Sequence, residues 1–485
     1  MDQSVSLPIH LENYKDWEKK LKSELPSFLT SYDFDRIYKF LHPFAKSVVI
    51  EYYYVDKDFR DSYYNFFSKK FANHQRNCVR LHFFCKKIAE DELWNLENNC
   101  SNDYLGYIVL RPIPPFSIGR TMIDPEKINM ENHLIFTSKE NVHLLGSDLI
   151  VKGFPFTSQD SEVNVCAHAS IWMISRYFSN RYQIYREAYP FEIANKQMYS
   201  HTRNVPSKGL FMDQVSGILK NLGFAPEYYP KDLYPDDFFK LIYYYIESGF
   251  PLLIGLPRHA TVLIGHHFEL DFKSIKKYEK NKYFYYNSAD LISDYVINDD
   301  NFLPYGFLSK DKTKKTNYSF DDIDSFIVCL PEKVYLSAEY LEELIISILN
   351  TDISFSKHSL LYNKDELILR IYLTSSKSYK SFRRNVDGQL YDDIEKIYLE
   401  MPMPKFIWVA ELSNIENYKK GNIFGEIIID ATANRYDDYP FLSIHYPGFL
   451  MLNNTNILGN DPSKFETFNV DKNKIKPYNL FKRRF

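Results

Sequence analysis

The hydrophobic pattern of residues 146–335 changes once, from helical to strand-like, and this order constrains the fold more than any other feature. Segments with helical periodicity come first, at about residues 166–177, 211–222 and 235–247. Segments with strand character follow, at residues 252–256, 259–265, 282–286 and 295–299. Helices followed by strands are typical of an α+β domain in two parts, with its active site between them.

The stretches on either side have patterns of their own, and 485 residues exceed what one hydrophobic core usually serves. We therefore predict an N-terminal α+β accessory domain (1–145), a catalytic domain (146–335) and a C-terminal α+β accessory domain (336–485). In the first, strands are expected at 47–54, 78–85 and 104–110 and a helix at 61–71. In the last, a helix is expected at 337–349, with strands at 367–373, 406–412 and 425–429.

Charge and cysteine content exclude several classes of function. The formal net charge is −4 with both signs well mixed, so we expect no nucleic-acid partner. No apolar run is long enough to span a bilayer, and the first residues lack the pattern of a secretory signal, so we expect no membrane association. Five cysteines without a CxxC pair argue against a disulfide framework or a cysteine-rich zinc site. A reducing cytoplasm is the expected location.

Cys166 stands where a polar loop passes directly into an apolar helix. A helix N-terminus carries partial positive charge and unpaired N–H groups, which favour a thiolate and stabilise a developing oxyanion. Gln159 precedes the cysteine by 166 − 159 = 7 positions and is the candidate for a second oxyanion donor. The alternative is a buried structural cysteine in an ordinary core helix. His168 is not the expected base, because two positions along a helix turn it to another face.

His259 begins the second of two apolar runs that the dipeptide Pro257-Arg258 separates, which predicts paired strands joined by a turn. A histidine at a strand start can face a cleft, so it is the candidate general base for Cys166. Asp299 ends a later strand and is our choice for orienting the imidazole, with Asn298 as the alternative. The alternative is that both residues are purely structural, because histidines in strands and acids at strand ends are common in proteins where they have no catalytic role.

Together these segments resemble the papain-like cysteine peptidases. The closer likeness is to the peptidase domains that cleave double-glycine leaders in bacteriocin exporters, and to their stand-alone bacterial relatives. The likeness rests on Gln159, on Cys166 at a helix start, on His-Ala-Thr-Val-Leu-Ile-Gly from His259, and on Val-Ile-Asn-Asp ending at Asp299. It covers the middle third of the chain, and Ala167 stands where that family usually has glycine.

The resemblance implies a cysteine peptidase that needs no metal or organic cofactor. Cys166 would be the nucleophile, His259 the base and Asp299 its orienting acid, with Gln159 at the oxyanion. A protein or peptide would be the substrate, and a regulatory partner or ligand is expected at the flanking domains.

Three alternatives remain open from the sequence. The same site would serve an acyltransferase, a transamidase or a deamidase, because the acyl-enzyme is common to all of these reactions. A catalytically inactive papain-like binding module is the second alternative, and it predicts an unreactive Cys166. The third is a metal site in the C-terminal domain, formed by Asp430, Asp437, Asp438 and His445.

Overall fold

The computed structural model describes residues 4–196, 203–269, 271–273, 275–280, 283–310, 318–350, 367–385, 392–437, 440–446, 448–453 and 465–468. The chain forms two compact units, each made of several segments. The first unit comprises Met1–Pro230, Pro251–His266 and Asp294–Cys329. The second comprises Lys231–Phe250, His267–Ser293 and Leu330–Phe485. Separate folding of the three expected domains stays a prediction.

The described part of the first unit contains a five-stranded antiparallel sheet near the N-terminus, which we call the N-terminal sheet. Its strands are rich in β-branched and aromatic residues, and the last three in spatial order are buried throughout. In spatial order they are Ile9–His10, Ser47–Tyr54, Cys78–Phe84, Tyr104–Leu110 and Ile118–Ile123. The strands expected at 47–54, 78–85 and 104–110 are therefore confirmed.

The helix expected at 61–71 begins and ends earlier, at Lys57–Asn65. The Asp56 side chain accepts the backbone N–H of Phe59 and so caps the helix before the expected start. The other α-helices described in this part of the chain are Tyr14–Asp16, Lys22–Glu24, Ser31–Leu41 and Leu96–Cys100, with a π-helical turn at Trp17–Leu21.

A second sheet of the first unit, which we call the central sheet, positions the candidate site. Its described strands number seven, and their bounds are Leu134–Ile135, Ala225–Pro230, Leu252–Leu256, His259–Phe268, Ile292–Asn298, Gly306–Ser309 and Ser325–Leu330. A separate hairpin joins Ser138–Leu144 to Ser147–Gly153. The expected turn at Pro257-Arg258 is present, since Leu256 pairs directly with His259 and Arg258 adopts the left-handed conformation at φ 59°.

The α-helices of the first unit that follow the hairpin are Cys166–Arg181, Pro190–Asn195 and Met212–Asn221. The helix expected at 166–177 thus begins where predicted and runs one turn longer. It is buried along most of its length, including Ile171, Trp172 and Ile174.

The second unit holds a sheet of eight described strands. They are Lys277–Lys280, Tyr283–Asn287, Leu367–Ser375, Phe406–Asn414, Gly425–Asp430, Phe441–Tyr446, Phe449–Asn453 and Phe465–Phe468. Tyr283–Asn287 and Leu367–Ser375 pair in parallel, and the other described pairs of neighbouring strands in this sheet are antiparallel. Its described α-helices are Phe238–Glu247, Leu341–Asn350, Ser376–Asn385, Asp392–Glu400 and Ile415–Lys419.

The core of the second unit contains a paired cation. The fully buried Arg370 donates to Glu411 at 2.7 Å and to Glu247 on the neighbouring helix. This pairing satisfies a guanidinium that would otherwise be costly to bury.

The described elements give a mixed α and β fold with mostly antiparallel sheets, in agreement with the expected α+β class. Short 3₁₀ turns connect them at Phe67–Lys69, Glu92–Asn95, Ser101–Asp103, Pro125–Ile128, Lys231–Leu233, Ser288–Leu291, Phe320–Asp322 and Ala338–Tyr340. Of the described helices, none combines the length and the apolar character needed to cross a bilayer.

Candidate active site

Cys166 is the first residue of its helix and is partly exposed. The loop before it turns tightly because Asp160 Oδ1 accepts the backbone N–H groups of Glu162, Val163 and Asn164, at 2.8–2.9 Å. Val165 occupies the N-cap position and offers no side-chain cap. The N–H groups of the first helical turn therefore stay directed at the space beside the thiol.

The helix that carries Cys166 is fixed by a carboxylate from the N-terminal part of the chain. Asp58 Oδ1 accepts from Trp172 Nε1 at 2.9 Å and from Arg176 Nη2 at 2.8 Å. Burial raises the pKa of Asp58, and the Arg176 guanidinium opposes this rise. Because all three side chains are buried, the contacts hold the Cys166 helix against the helix Lys57–Asn65, which carries Asp58.

His259 lies at the entrance of its strand and contacts both the thiol and an acid. Its Nε2 is 3.0 Å from Asp299 Oδ1, and hydrogen bonding with the nearby Cys166 side chain is among the influences that raise its pKa. Since Nε2 faces the carboxylates, Nδ1 is the ring nitrogen left for the thiol. Burial lowers the pKa of His259, but the bond to Asp299, the contact with Cys166 and the charges of Asp299 and Asp300 outweigh it. They raise the pKa to about 10.

Two neighbouring carboxylates face the imidazole. Asp299 and Asp300 are both buried, and Asp300 Oδ1 lies 3.6 Å from His259 Nε2. Burial raises the pKa of Asp300 to about 7; the His259 charge lowers it, while the Asp299 charge adds to the rise. Asn298 does not contact the histidine: its Oδ1 accepts the backbone N–H of Tyr305 at 3.0 Å. Of the two candidates for orienting His259, the structure therefore places Asp299 in contact.

Gln159 reaches the site through a residue that the sequence did not suggest. Its Nε2 donates to Asn301 Oδ1 at 2.8 Å, which leaves its second amide hydrogen for another acceptor. The backbone N–H of Asn301 donates to Asp299 Oδ1 at 3.0 Å, and its Nδ2 lies 3.4 Å from His259 Nε2. Asn301 thus touches the glutamine, the acid and the histidine. Its place in the run Asp299-Asp300-Asn301 was the only signal of this role.

Arg111 holds the loop of Gln159 from the end of an N-terminal strand. Its Nη2 lies 3.1 Å from the carbonyl oxygens of Ser158 and Gln159, and 2.8 Å from that of Ile118. Burial lowers the pKa of Arg111, and the nearby Asp160 carboxylate opposes this change. The role of Arg111 was not predicted, because its partners are backbone carbonyls, and those of Ser158 and Gln159 lie more than forty positions away.

The other candidate groups lie elsewhere. His168 is buried, and burial lowers its pKa to about 4, which fits its exclusion as the base. Burial also raises the pKa of Cys78, Cys100 and Cys329. Cys85 is partly exposed like Cys166, but burial raises its pKa too.

Two groups of side chains contain residue types that can bind a metal ion, one at the candidate site and one in the C-terminal part of the chain. Within the described ranges, the only group of three or more ligand-type residues with ligand atoms within 4.8 Å is His259, Asp299 and Asp300. Of the C-terminal set, Asp438 lies outside the described residues. Asp430 Oδ1 accepts from Thr432, and His445 Nδ1 lies 3.1 Å from the Tyr398 hydroxyl, in a buried position. Asp430 and His445 therefore make hydrogen bonds within the sheet and its turn.

The arrangement suits nucleophilic catalysis: a thiol at a helix start, a histidine in contact with it, and a buried acid behind the histidine. No protein-family model matches the sequence, and no curated protein is significantly similar to it.

Proposed function

We propose that the protein is a cysteine peptidase, a thiol hydrolase with the chemistry of the papain-like enzymes. The observation that carries the proposal is the contact of His259 Nε2 with Asp299 Oδ1 at 3.0 Å, in a histidine whose pKa the neighbouring Cys166 side chain also raises. The position of Cys166 at the start of a buried helix adds support, since helix N–H groups favour negative charge there.

In the proposed reaction, the proton of the Cys166 thiol passes to His259, and the thiolate attacks the carbonyl carbon of a peptide bond. The Cys166 N–H and the free amide hydrogen of Gln159 stabilise the oxyanion. The imidazolium then gives its proton to the leaving amine, and an acyl-enzyme remains. Water, deprotonated by His259, releases the acid and restores the thiol.

Asp299 acts in this scheme by favouring the imidazolium and fixing the ring. The charge of the acid stabilises the protonated histidine at each step in which the proton rests there. Burial of the carboxylate keeps solvent from screening this interaction.

The N-terminal part of the chain belongs to the proposed enzyme and is not a removable propeptide. Asp58 contacts the helix of Cys166, and Arg111 contacts the loop of Gln159. Purified active protein should therefore have the intact mass of the full chain. Activity that appears only after loss of the first 140 or so residues would contradict this part of the proposal.

The test of the proposed function is a proteome-wide search for new protein termini in cells that express the wild type or Cys166→Ala. Alanine is a good helix former, so this variant should fold with nearly unchanged stability while losing activity. Cys85→Ala is the matched control, because it removes the other partly exposed thiol. The same termini with wild type and Cys166→Ala would refute a peptidase. Adducts of peptides with added amines would instead indicate acyl transfer.

A further inference from the structure

A cavity of about 380 Å³ adjoins the candidate site within the first unit. Gln159 and Asn301, which bond to each other, form the wall on the side of His259. The opposite wall comes from the N-terminal part of the chain, with Tyr32 from one helix and Phe116 from the loop before a strand. Phe302 completes the rim next to Asn301.

Aromatic rings supply the accessible part of this lining. Tyr32 is 65% exposed and Phe302 is 40% exposed, and Phe116 is half-buried. Large rings left open to solvent beside a candidate catalytic pair are typical of a binding pocket, because covering them with a ligand removes apolar surface from water.

Three charged side chains line the cavity, and each lies beside a group of opposite charge. Arg36 Nη1 donates to Asp33 Oδ1 at 3.2 Å, and Asp33 is 1% exposed. Asp300 is equally buried, and its carboxylate lies 3.6 Å from His259. Arg36 Nε and Nη2 have no hydrogen-bond partner among the described residues, but a charged ligand group would have to compete with these ion pairs and lose its own hydration. This arrangement favours an uncharged occupant.

We propose that this cavity is a substrate subsite that accepts an aromatic side chain of a peptide, next to the bond that Cys166 attacks. That the occupant belongs to a peptide substrate rests on the proposed function. That its side chain is aromatic rests only on the residues that line the cavity. It also gives the N-terminal part of the chain a role in substrate recognition.

The backbone that carries Tyr32 and Phe302 is held in place for such a contact. Tyr32 lies in the first turn of the helix Ser31–Leu41, which Thr30 caps, and the Arg36 guanidinium lies 5.6 Å from the Tyr32 ring centroid. Phe302 is anchored by its backbone N–H, which donates to the Asp299 carbonyl at 2.9 Å. A backbone that is already fixed lowers the entropy cost when a third ring packs against these side chains.

The experiment measures binding of capped tripeptides to full-length Cys166→Ala by calorimetry, so that no turnover interferes. The probes are acetyl-Ala-X-Ala-amide with X as phenylalanine, alanine, glutamate or arginine. We expect the phenylalanine peptide to bind about tenfold more tightly than the alanine peptide, from burial of one ring. Equal binding of these two, or tighter binding of the glutamate or arginine peptide, would overturn the proposal.

Substitutions in the cavity lining test whether the peptide binds in this cavity. Tyr32→Ala and Phe302→Ala, made separately in this background, should each weaken the phenylalanine peptide about fivefold and leave the alanine peptide unchanged. Both residues are exposed and lie on different elements, so loss of folding in one still leaves the other as a test. Tyr64→Ala is the matched control, since Tyr64 is 55% exposed and lies outside the cavity lining. Equal weakening in the control would contradict the assignment.

The experiments distinguish failure of the proposed subsite from failure of the proposed peptidase function. Peptide binding to Cys166→Ala does not depend on thiol chemistry, whereas native labelling of Cys166 by iodoacetamide does not depend on the cavity. Selective binding with an unreactive thiol would reject the peptidase and keep the subsite. A reactive thiol without phenylalanine selectivity would reject the subsite and keep the peptidase.

Discussion

Replacing Asp299 by asparagine tests the electrostatics of the site. Asp299 Oδ1 lies 3.0 Å from His259 Nε2, and this bond is the largest of the interactions that raise the pKa of the histidine. Asparagine has nearly the same shape and still offers an oxygen, but it removes the negative charge. The substitution therefore isolates the contribution of charge from that of packing.

The expected size follows from the pKa of His259. The rise from 6.5 to about 10 corresponds to about 5 kcal/mol of preference for the imidazolium, at about 1.4 kcal/mol per pKa unit. Solvent at the mouth of the site screens part of this preference. We therefore take about half of it, or about 2–3 kcal/mol, as the combined effect of all groups that raise the pKa of His259. With the larger share assigned to Asp299, Asp299→Asn should lower the pKa of His259 by about 1–2 units.

The assay is an NMR titration of the histidine rings in a Cys166→Ala background, which excludes turnover. The chain has 13 histidines, so His259→Gln identifies the signal by its absence. Asp124→Asn is the matched control, because Asp124 is a similarly buried acid whose partner is Lys127. A pKa of His259 that stays unchanged in Asp299→Asn, or that lies near 6.5 before the substitution, would refute the reasoning.

Three further predictions concern stability and positioning. Asp58→Asn should lower the free energy of unfolding by about 2–3 kcal/mol in urea titrations, because Arg176 loses its closest buried acid; a loss below about 1 kcal/mol would contradict this. Because folding raises the pKa of His259, its protonation stabilises the fold fully below pH 6.5 and this contribution disappears as pH rises through about 10. The stability difference between wild type and His259→Gln should shrink over that interval, and a constant difference would count against the ion pair. Asn301→Ala should slow cleavage of a peptide substrate about tenfold, while alkylation of Cys166 by iodoacetamide stays unchanged; equal loss of both would show a general disturbance of the site.

Local pattern was enough to predict most elements around the site. The helix at Cys166 and the strands at Leu252–Leu256 and His259–Phe268 carry periodicities that one segment expresses by itself. The two-residue turn at Pro257-Arg258 also fixes the register that brings His259 to the strand start. The helix expected at 61–71 was misplaced because the capping aspartate, Asp56, was not recognised as its start.

The residues that support the site could not be predicted from local pattern, because their contacts join residues that are distant in the sequence. Arg111 binds the carbonyl oxygens of residues more than forty positions away, and Asp58 contacts a helix more than one hundred positions away. Every residue has a backbone carbonyl, so the sequence does not indicate which carbonyl oxygens accept from Arg111. Asn301 follows two acids at a strand end, and strand ends of this composition are common without any catalytic role.

The most direct test of the account is the rate at which iodoacetamide alkylates Cys166 in the native protein near neutral pH. Cys85, the other partly exposed thiol, serves as an internal reference in the same chain, and mass spectrometry of peptides gives both rates. The account predicts that Cys166 reacts at least about tenfold faster than Cys85 and that His259→Gln removes the difference. A Cys166 that reacts no faster than Cys85, or that keeps its rate in His259→Gln, would contradict a catalytic Cys–His pair.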